Sequence, residues 1–476
     1  MKDFASCIRP VVAACLLLAG AAHAATPLDG IRDPGFGTNG LATASFNLSI
    51  DYADHTDGMA VSPSGRIYIA ATIGVVTQGV SRLRPGLARF FADGQLDPAF
   101  SGDGLASPIP AALAAQNVWA HGVLVRADGK PMVYGIRYPG GGARPKFVVC
   151  RYAVAGNLDP TFDADGCAEP TLALIDDGEE NPHTAIVLPD DRLLLGGKAG
   201  VNPVNPDHLD ALVVMLNADG TLAGGFGNSG YILLRPPGAT YSEIVKLVRL
   251  ADGRFIAIGF SDLSMFAVRL SSTGQLDTQF GANGYALVSF SNLHNLQQTL
   301  DWARSGAVDS LGRIYLCGHI TYGNHSFQSV MAFARLGVNG QLDQGFSGDG
   351  RIVRPFIDVF PTSNVADCSV DAQDRLVVAL QTGTVAPLSN DFGVLRLLPD
   401  GSDDLSFNGI GQVRIPVDLG GEGVGYDTTA ALALVGDQVI VAGTSYPIDG
   451  GSATGEVHTL VRLGSDRPFA NGFEGN

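Results

Sequence analysis

The chain has 476 residues, of which 16% are charged, 46% are apolar and 62 are glycine. That composition argues against disorder and describes many short strands joined by tight turns. A formal charge of −17 sets the body against phosphate backbones and anionic headgroups, so nucleic acid is not an expected partner.

The N-terminus carries Lys2 and Arg9, an apolar run from Val11 to Ala22, and then Ala22-His23-Ala24, the small-x-small pattern cleaved by signal peptidase. Residues 1–24 are expected to be a signal peptide, leaving a mature chain exported to the periplasm, the cell surface or the medium. Cleavage removes two positive charges and one negative, taking the net charge from −17 to −18. Val12-Ala13-Ala14-Cys15 also fits a lipobox, but the apolar run would start too close to its cysteine and continue past it. No later segment has the roughly 18 uninterrupted apolar residues of a membrane helix.

A phenylalanine anchor then recurs along the chain. It stands in DPGFGTNG at Phe36, LDPAFSGDG at Phe100, LDPTFDADG at Phe162, LAGGFGNSG at Phe226, LDTQFGANG at Phe280, LDQGFSGDG at Phe346 and DLSFNGIG at Phe407. The tail VRLGSDRPFANGF aligns with VRLSSTGQLDTQF and supplies a degenerate eighth anchor, Phe473. The intervals are 64, 62, 64, 54, 66, 61 and 66 residues, giving seven repeats. Between anchors lie two apolar strands around a two-residue turn, as in AVSPSGRIYIAA from Ala60 and LVRLADGRFIAIG from Leu247, a hairpin pattern. One strand precedes each hairpin and one follows, so each repeat holds four antiparallel strands, a to d.

Seven such repeats predict an all-β fold, a single seven-bladed β-propeller over residues 25–473 with a short tail at 474–476. The motif L-D-x-x-F-x-x-x-G followed by A-V-x-x-D-G-[KR]-[IL]-x-[VI]-A-G resembles the delta-60 repeat of bacterial exported proteins, over about residues 27 to 473. The resemblance implies a propeller-like fold and assigns no activity or catalytic residue. The aspartate three residues before six of the phenylalanines (Asp33, Asp97, Asp159, Asp277, Asp343 and Asp404; Ala223 replaces it before Phe226) is read as an acceptor for turn N–H groups, and the glycine four residues after the anchor as a backbone position closed to other residues. The three aspartates of GNLDPTFDADGC, Asp159, Asp163 and Asp165, therefore belong to a turn; calcium is the one cofactor they leave open.

In this arrangement the a-to-b and c-to-d loops share one face. They vary in length and carry Tyr52, Tyr138, Tyr241, Tyr322, Phe360, Tyr426 and Tyr446. Counting back eight residues from each hairpin turn, with small shifts, selects a ring of polar candidates at the start of strand b: Asp57, His121, His183, Glu243, Arg304, Asp367 and Asp427. Trp119 and Trp302, the only tryptophans, stand two residues before two of these and are candidate stacking platforms. His121 with His183 is a weak metal pair, because one residue from each of two blades fixes no distance. Of the four cysteines left after cleavage, Cys150 and Cys167 flank one d-to-a connection and are expected to bridge; Cys317 and Cys368 either bridge adjacent repeats or stay as buried thiols.

No HExxH, GxSxG, Walker or zinc-type CxxC pattern occurs, and two tryptophans are too few for the one-per-blade pattern of quinoprotein propellers. The expected function is a monomeric binding or scaffold module recognising a protein or glycan through the variable-loop face. The alternatives are a hydrolase acting on a glycan or ester with carboxylate and histidine residues of the same face, or a bulk envelope component.

Overall fold

The structure, a computed structural model, describes residues 30–464 apart from 47, 49–53, 78, 175–177, 201–207, 263, 292, 294–298, 323–328, 356–362, 386–387, 418, 420–425, 447, 450–451 and 454–455. The expected signal peptide, Tyr52, Phe360 and the tail with Phe473 lie outside the described residues. Among the described residues there is no α-helix; a single turn of 3-10 helix covers Ala111–Leu113.

The apolar strands and their turn signals assemble into four-stranded antiparallel sheets. The first runs His55–Val61, Ile67–Thr77, Val80–Phe90, Leu105–Ala106, and the next four follow the same order, starting at Asn117, Glu180, Ser242 and Thr299. Two more four-stranded units start at Ser363 and Tyr426, but a single parallel bridge between Asn390 and Tyr426 joins them, with Ile31–Arg32, into one nine-stranded sheet. The expectation of seven separate sheets is corrected accordingly: there are five four-stranded sheets and one double sheet, and none is closed on itself. A two-stranded ribbon, Ile448–Asp449 with Ser452–Ala453, stands apart.

The phase of the repeat differs from the sequence expectation. Each sheet is built from strands b, c and d of one repeat and strand a of the next, as Leu105–Ala106 pairing with Val80–Phe90 shows. Strand b is therefore the first strand of its sheet, and strand a the last. The first a-strand, Leu41–Ala44, accordingly completes the last unit by pairing with Val457–Gly464.

Apolar clusters lie between neighbouring units. One joins Ile258 and Phe260 to Ile314 and Leu316, and another joins Ile440 and Leu460 of the last unit to Ile67 and Ile69 of the first. The first strands touch in cyclic order, and Tyr426–Val435 packs on His55–Val61.

The motif aspartate does more than cap a turn. Its Oδ1 accepts the N–H two residues on, as in Ala99 to Asp97 at 3.0 Å, while Oδ2 holds an arginine of strand d. The pairs are Arg89–Asp97, Arg151–Asp159, Arg269–Asp277, Arg335–Asp343, Arg396–Asp404 and Arg462–Asp33, at 2.7 to 2.9 Å. Each guanidinium lies over the buried anchor phenylalanine, with Cζ 4.6 to 5.0 Å from the ring centroid. In Arg89, Arg151, Arg269, Arg335 and Arg462, Nη1 then reaches a carbonyl of the next unit, as Arg151 does to Ala218 at 2.8 Å. The glycine four residues after the anchor has φ between 81° and 108° in all seven copies, which only glycine adopts without strain.

The fourth anchor, Phe226, tests this arrangement. Its aspartate position is Ala223 and its arginine position is Met215, both buried. Acid and base are missing together, since either alone would be a buried uncompensated charge.

Both disulfides are formed. Cys150 and Cys167 face each other across the last two strands of the second sheet, and Cys317 of the fifth sheet bridges to Cys368 of the next unit. Of the three aspartates in GNLDPTFDADGC, Asp159 is taken by Arg151 and Lys130, Asp163 sits at φ 47°, and Asp165 accepts the N–H of Cys167.

Two outcomes follow from the Arg–Asp–Phe cluster. Met215→Arg is expected to lower unfolding free energy by roughly 3 kcal/mol, and adding Ala223→Asp to recover at least half, in a denaturant double-mutant cycle. Asp33→Asn is expected to cost about as much as Asp159→Asn, since both hold an arginine; a neutral Asp33→Asn would show that the N-terminal motif does not fasten the last unit.

Candidate functional site

Every first strand carries one β-bulge at the same place. The register skips Asp57, His121, His183, Val245, Arg304, Ala366 and Ala430. A bulge inserts one residue and re-aims its side chain, and these seven residues line one central cavity of about 280 Å³. Strand c accommodates the bulge with glycine: a Cβ at Gly135 or Gly259 would stand 1.9 Å from the carbonyl oxygen of Trp119 or Glu243.

The sequence candidates fall into three groups. Asp57, His121, His183 and Arg304 occupy bulges. Trp119, Glu243 and Trp302 share the position two residues earlier, one step along the channel. Asp367 follows its bulge residue Ala366 and also lines the cavity, whereas Asp427 stands three residues before Ala430, outside it. Asp427 is buried and accepts the N–H of Val417 at 3.2 Å, as Asp301 does for Phe290 at the equivalent place. The equivalents of the ring in the fourth, sixth and seventh units are thus Val245, Ala366 and Ala430.

The acids in this region are engaged. Asp57 accepts from Thr72 Oγ1 at 2.7 Å and lies 3.2 Å from His55 Nε2. Asp367 accepts from Lys246 Nζ at 2.9 Å, Ser305 Oγ at 2.6 Å and the backbone N–H of Cys368 and Leu432, so one carboxylate ties four successive units. Glu243 accepts from Tyr241 and lies 3.3 Å from Lys198 Nζ. Burial works against the Glu243 carboxylate, but its cationic and hydroxyl neighbours outweigh this and hold it below the usual value.

The two histidines stack, with ring centroids 5.7 Å apart and planes 8° apart. His121 Nδ1 donates to the Pro182 carbonyl at 2.6 Å, which leaves Nε2 as the lone-pair nitrogen. Burial, reinforced by His183, takes His121 down to about 4, and burial also lowers His183. Both imidazoles are neutral at pH 7. His183 Nε2 faces Glu243 Oε2 at 3.5 Å. Among the described residues no group of three His, Cys, Asp or Glu side chains is placed to hold a metal ion.

Aromatic groups surround the next step of the channel. Trp119 meets Tyr138 at 5.9 Å and His55 at 6.0 Å; Trp302 packs on Phe260 at 4.9 Å. Arg304 lies over Trp302, Cζ 5.8 Å from the ring centroid. Tyr426 and Tyr446 pair farther out at 6.0 Å. Sequence reasoning missed His55, Lys198 and Lys246. The signal for His55 was present, because it occupies the same position relative to Asp57 that Trp119 does to His121.

Residues 62–100 match a family model described as a domain of unknown function (DUF5122) beta-propeller. The fold is a β-propeller. No curated protein sequence matches the chain. Among solved structures, the polysaccharide lyase Uly1 is 12% identical with TM-score 0.45, covering 92% of this chain and 97% of its own. The α-L-arabinofuranosidase ARB93A from Fusarium graminearum is 10% identical with TM-score 0.44 and the same coverages. The β-propeller domain of the trilobed protease from Pyrococcus furiosus is 9% identical with TM-score 0.38, covering 86% and 96%.

The buried neutral His121 gives a pH signature. The unfolded chain protonates this imidazole below about 6.5, while the folded protein does so only near 4, so the folded state binds fewer protons between these values and loses stability as pH falls through the window. His121→Asn is expected to flatten the dependence of unfolding free energy on pH between about 4 and 6.5, and NMR of the imidazole carbons to show no His121 titration above pH 5.

Proposed function

We propose that the seven four-stranded units are the blades of one closed ring spanning residues 25–473, exported after removal of residues 1–24. In this reading it acts as a binding module for a glycan or protein at the cell surface. Two disulfides suit an oxidising compartment, and no helix among the described residues is long and apolar enough to cross a membrane.

The observation that carries the binding reading is the pairing of aromatic platforms with spent acids. Trp119 and Trp302 stand at equivalent places in two blades, beside a channel whose carboxylates Asp57 and Asp367 are already bonded. Aromatic faces with few, fixed polar groups bind and orient a ligand, whereas hydrolysis by a carboxylate pair needs one acid free to donate a proton and one free to attack or activate water. Mature protein on a glycan and peptide array is expected to give a restricted set of hits, and Trp119→Ala with Trp302→Ala to lose them. Identical hits from the double mutant would remove the platforms from the reading.

The second reading, a hydrolase for a glycan or ester, draws on the approach of His183 to Glu243, an imidazole beside a carboxylate of the kind used in general acid–base chemistry, with His121 stacked on it. Turnover of an array hit that falls at least a hundredfold on His121→Ala or His183→Ala would favour it over binding alone.

A further inference from the structure

We propose that the central channel receives the carboxylate-bearing sugar unit of an acidic glycan, a hexuronate, with Arg304 holding the carboxylate and Trp302 the ring face. This deepens the binding reading above and rests on it.

Arg304 is the least satisfied charge in the channel. It is exposed to the channel, yet among the described residues its guanidinium makes no hydrogen bond or ion pair; its close contact is the Trp302 ring. The other charges there are already matched. Lys246 is bound by Asp367, Lys198 lies against Glu243, and Asp57 is held by Thr72 beside His55. The strand-d arginines show what this chain does with a guanidinium that serves the fold: each has an aspartate at 2.7 to 2.9 Å and a phenylalanine beneath it. Arg304 has the aromatic partner and feels the charge of Glu243, but among the described residues no acid lies within bonding distance of it. A ligand carboxylate would complete the same three-part arrangement.

The bulge is what puts it there. Inserting Arg304 between Ala303 and Ser305 aims the side chain into the cavity rather than into either sheet face. A planar guanidinium takes a carboxylate through two parallel hydrogen bonds. A hexuronate offers that carboxylate fixed to a pyranose whose C–H face can meet the part of the half-buried Trp302 ring left open beside Arg304 and Phe260. A peptide carboxylate would use Arg304 and leave Trp302 idle. The cavity, at about 280 Å³, lies just below the roughly 300 to 1,000 Å³ of ligand pockets, which suits one terminal unit rather than a polymer threading through. The charge of −17 works in the same direction, repelling a long polyanion while a single carboxylate is accepted inside the channel.

The test uses the full mature protein and isothermal titration at about 0.15 M salt, where the screening length is roughly 8 Å. The probes are the methyl glycosides of glucuronate and galacturonate, their neutral parents methyl glucoside and methyl galactoside, and a short peptide ending in a free carboxylate. At least one uronate is expected to bind ten- to a hundredfold tighter than its neutral parent, the range of a charge-assisted contact. Arg304→Gln is expected to abolish that preference, with a melting temperature within about 2 °C of wild type because the guanidinium makes no hydrogen bond or ion pair among the described residues. Trp302→Ala should weaken both sugars by a similar factor. Equal binding of uronate and neutral parent overturns the inference while the glycan reading stands. A uronate preference that survives Arg304→Gln also overturns it. Binding of the peptide alone overturns it in favour of a protein partner, and no binding by any sugar or peptide removes it together with the reading it rests on.

Discussion

The buried pairing of a strand-d arginine with the motif aspartate, over the anchor phenylalanine, is the contact on which the rest of the structure depends. An antiparallel sheet of four short strands is marginal alone, and its faces must be buried on neighbours. The cluster fixes how neighbours meet. Its aspartate orders the turn between two strands, its arginine reaches a carbonyl of the following unit, and its phenylalanine fills the wedge between them. The backbone repeats the link, since the residue after the anchor donates to the same neighbouring turn, as Ser101 does to Ala155 and Ser347 to Asp400. Because those contacts are satisfied on one face, the strands are free to end differently on the other, where the loops vary.

The repeat, the four strands and the Cys150–Cys167 bridge were legible in the sequence because each leaves a periodic or countable mark, whereas the sequence left Cys317 and Cys368 open between a bridge and buried thiols. The phase was not legible. Strand a stands before strand b in the chain, and nothing in the residues themselves says that it pairs backward with the previous sheet. The arginine was also present to be read: Arg151 and Asp159, Arg335 and Asp343, and Arg396 and Asp404 are each eight residues apart, and Met215 stands eight before Ala223. The aspartate was taken as a turn residue only, which was half of its role. In the tail, the residue eight after Arg462 is Ala470, so the acid for that arginine has to come from elsewhere, and Asp33 supplies it.

The candidate site was legible less evenly, for one physical reason. A bulge adds a residue to a strand, so alternation counted from the hairpin turn goes out of step there. Where the bulge carries a polar side chain, as at His121 and Arg304, the count still landed on it. Where it carries Val245, Ala366 or Ala430, the count slid to the nearest charge and chose Glu243, Asp367 and Asp427, which serve three different purposes. Asp367 gathers four units at the channel wall, Glu243 anchors Lys198 and Tyr241, and Asp427 closes a backbone turn.

The backward pairing of strand a bears on how this chain is made. Asp33 and Arg462 are 429 residues apart in sequence, and Leu41–Ala44 is among the first strands to leave the ribosome while Val457–Gly464 is among the last. Each inner sheet can complete itself once the following repeat has emerged, but Leu41–Ala44 has no partner until Val457–Gly464 has been made. Until then that early strand is unpaired, the kind of surface on which chains aggregate. The two ends of the described chain are therefore the last parts of the fold to find each other.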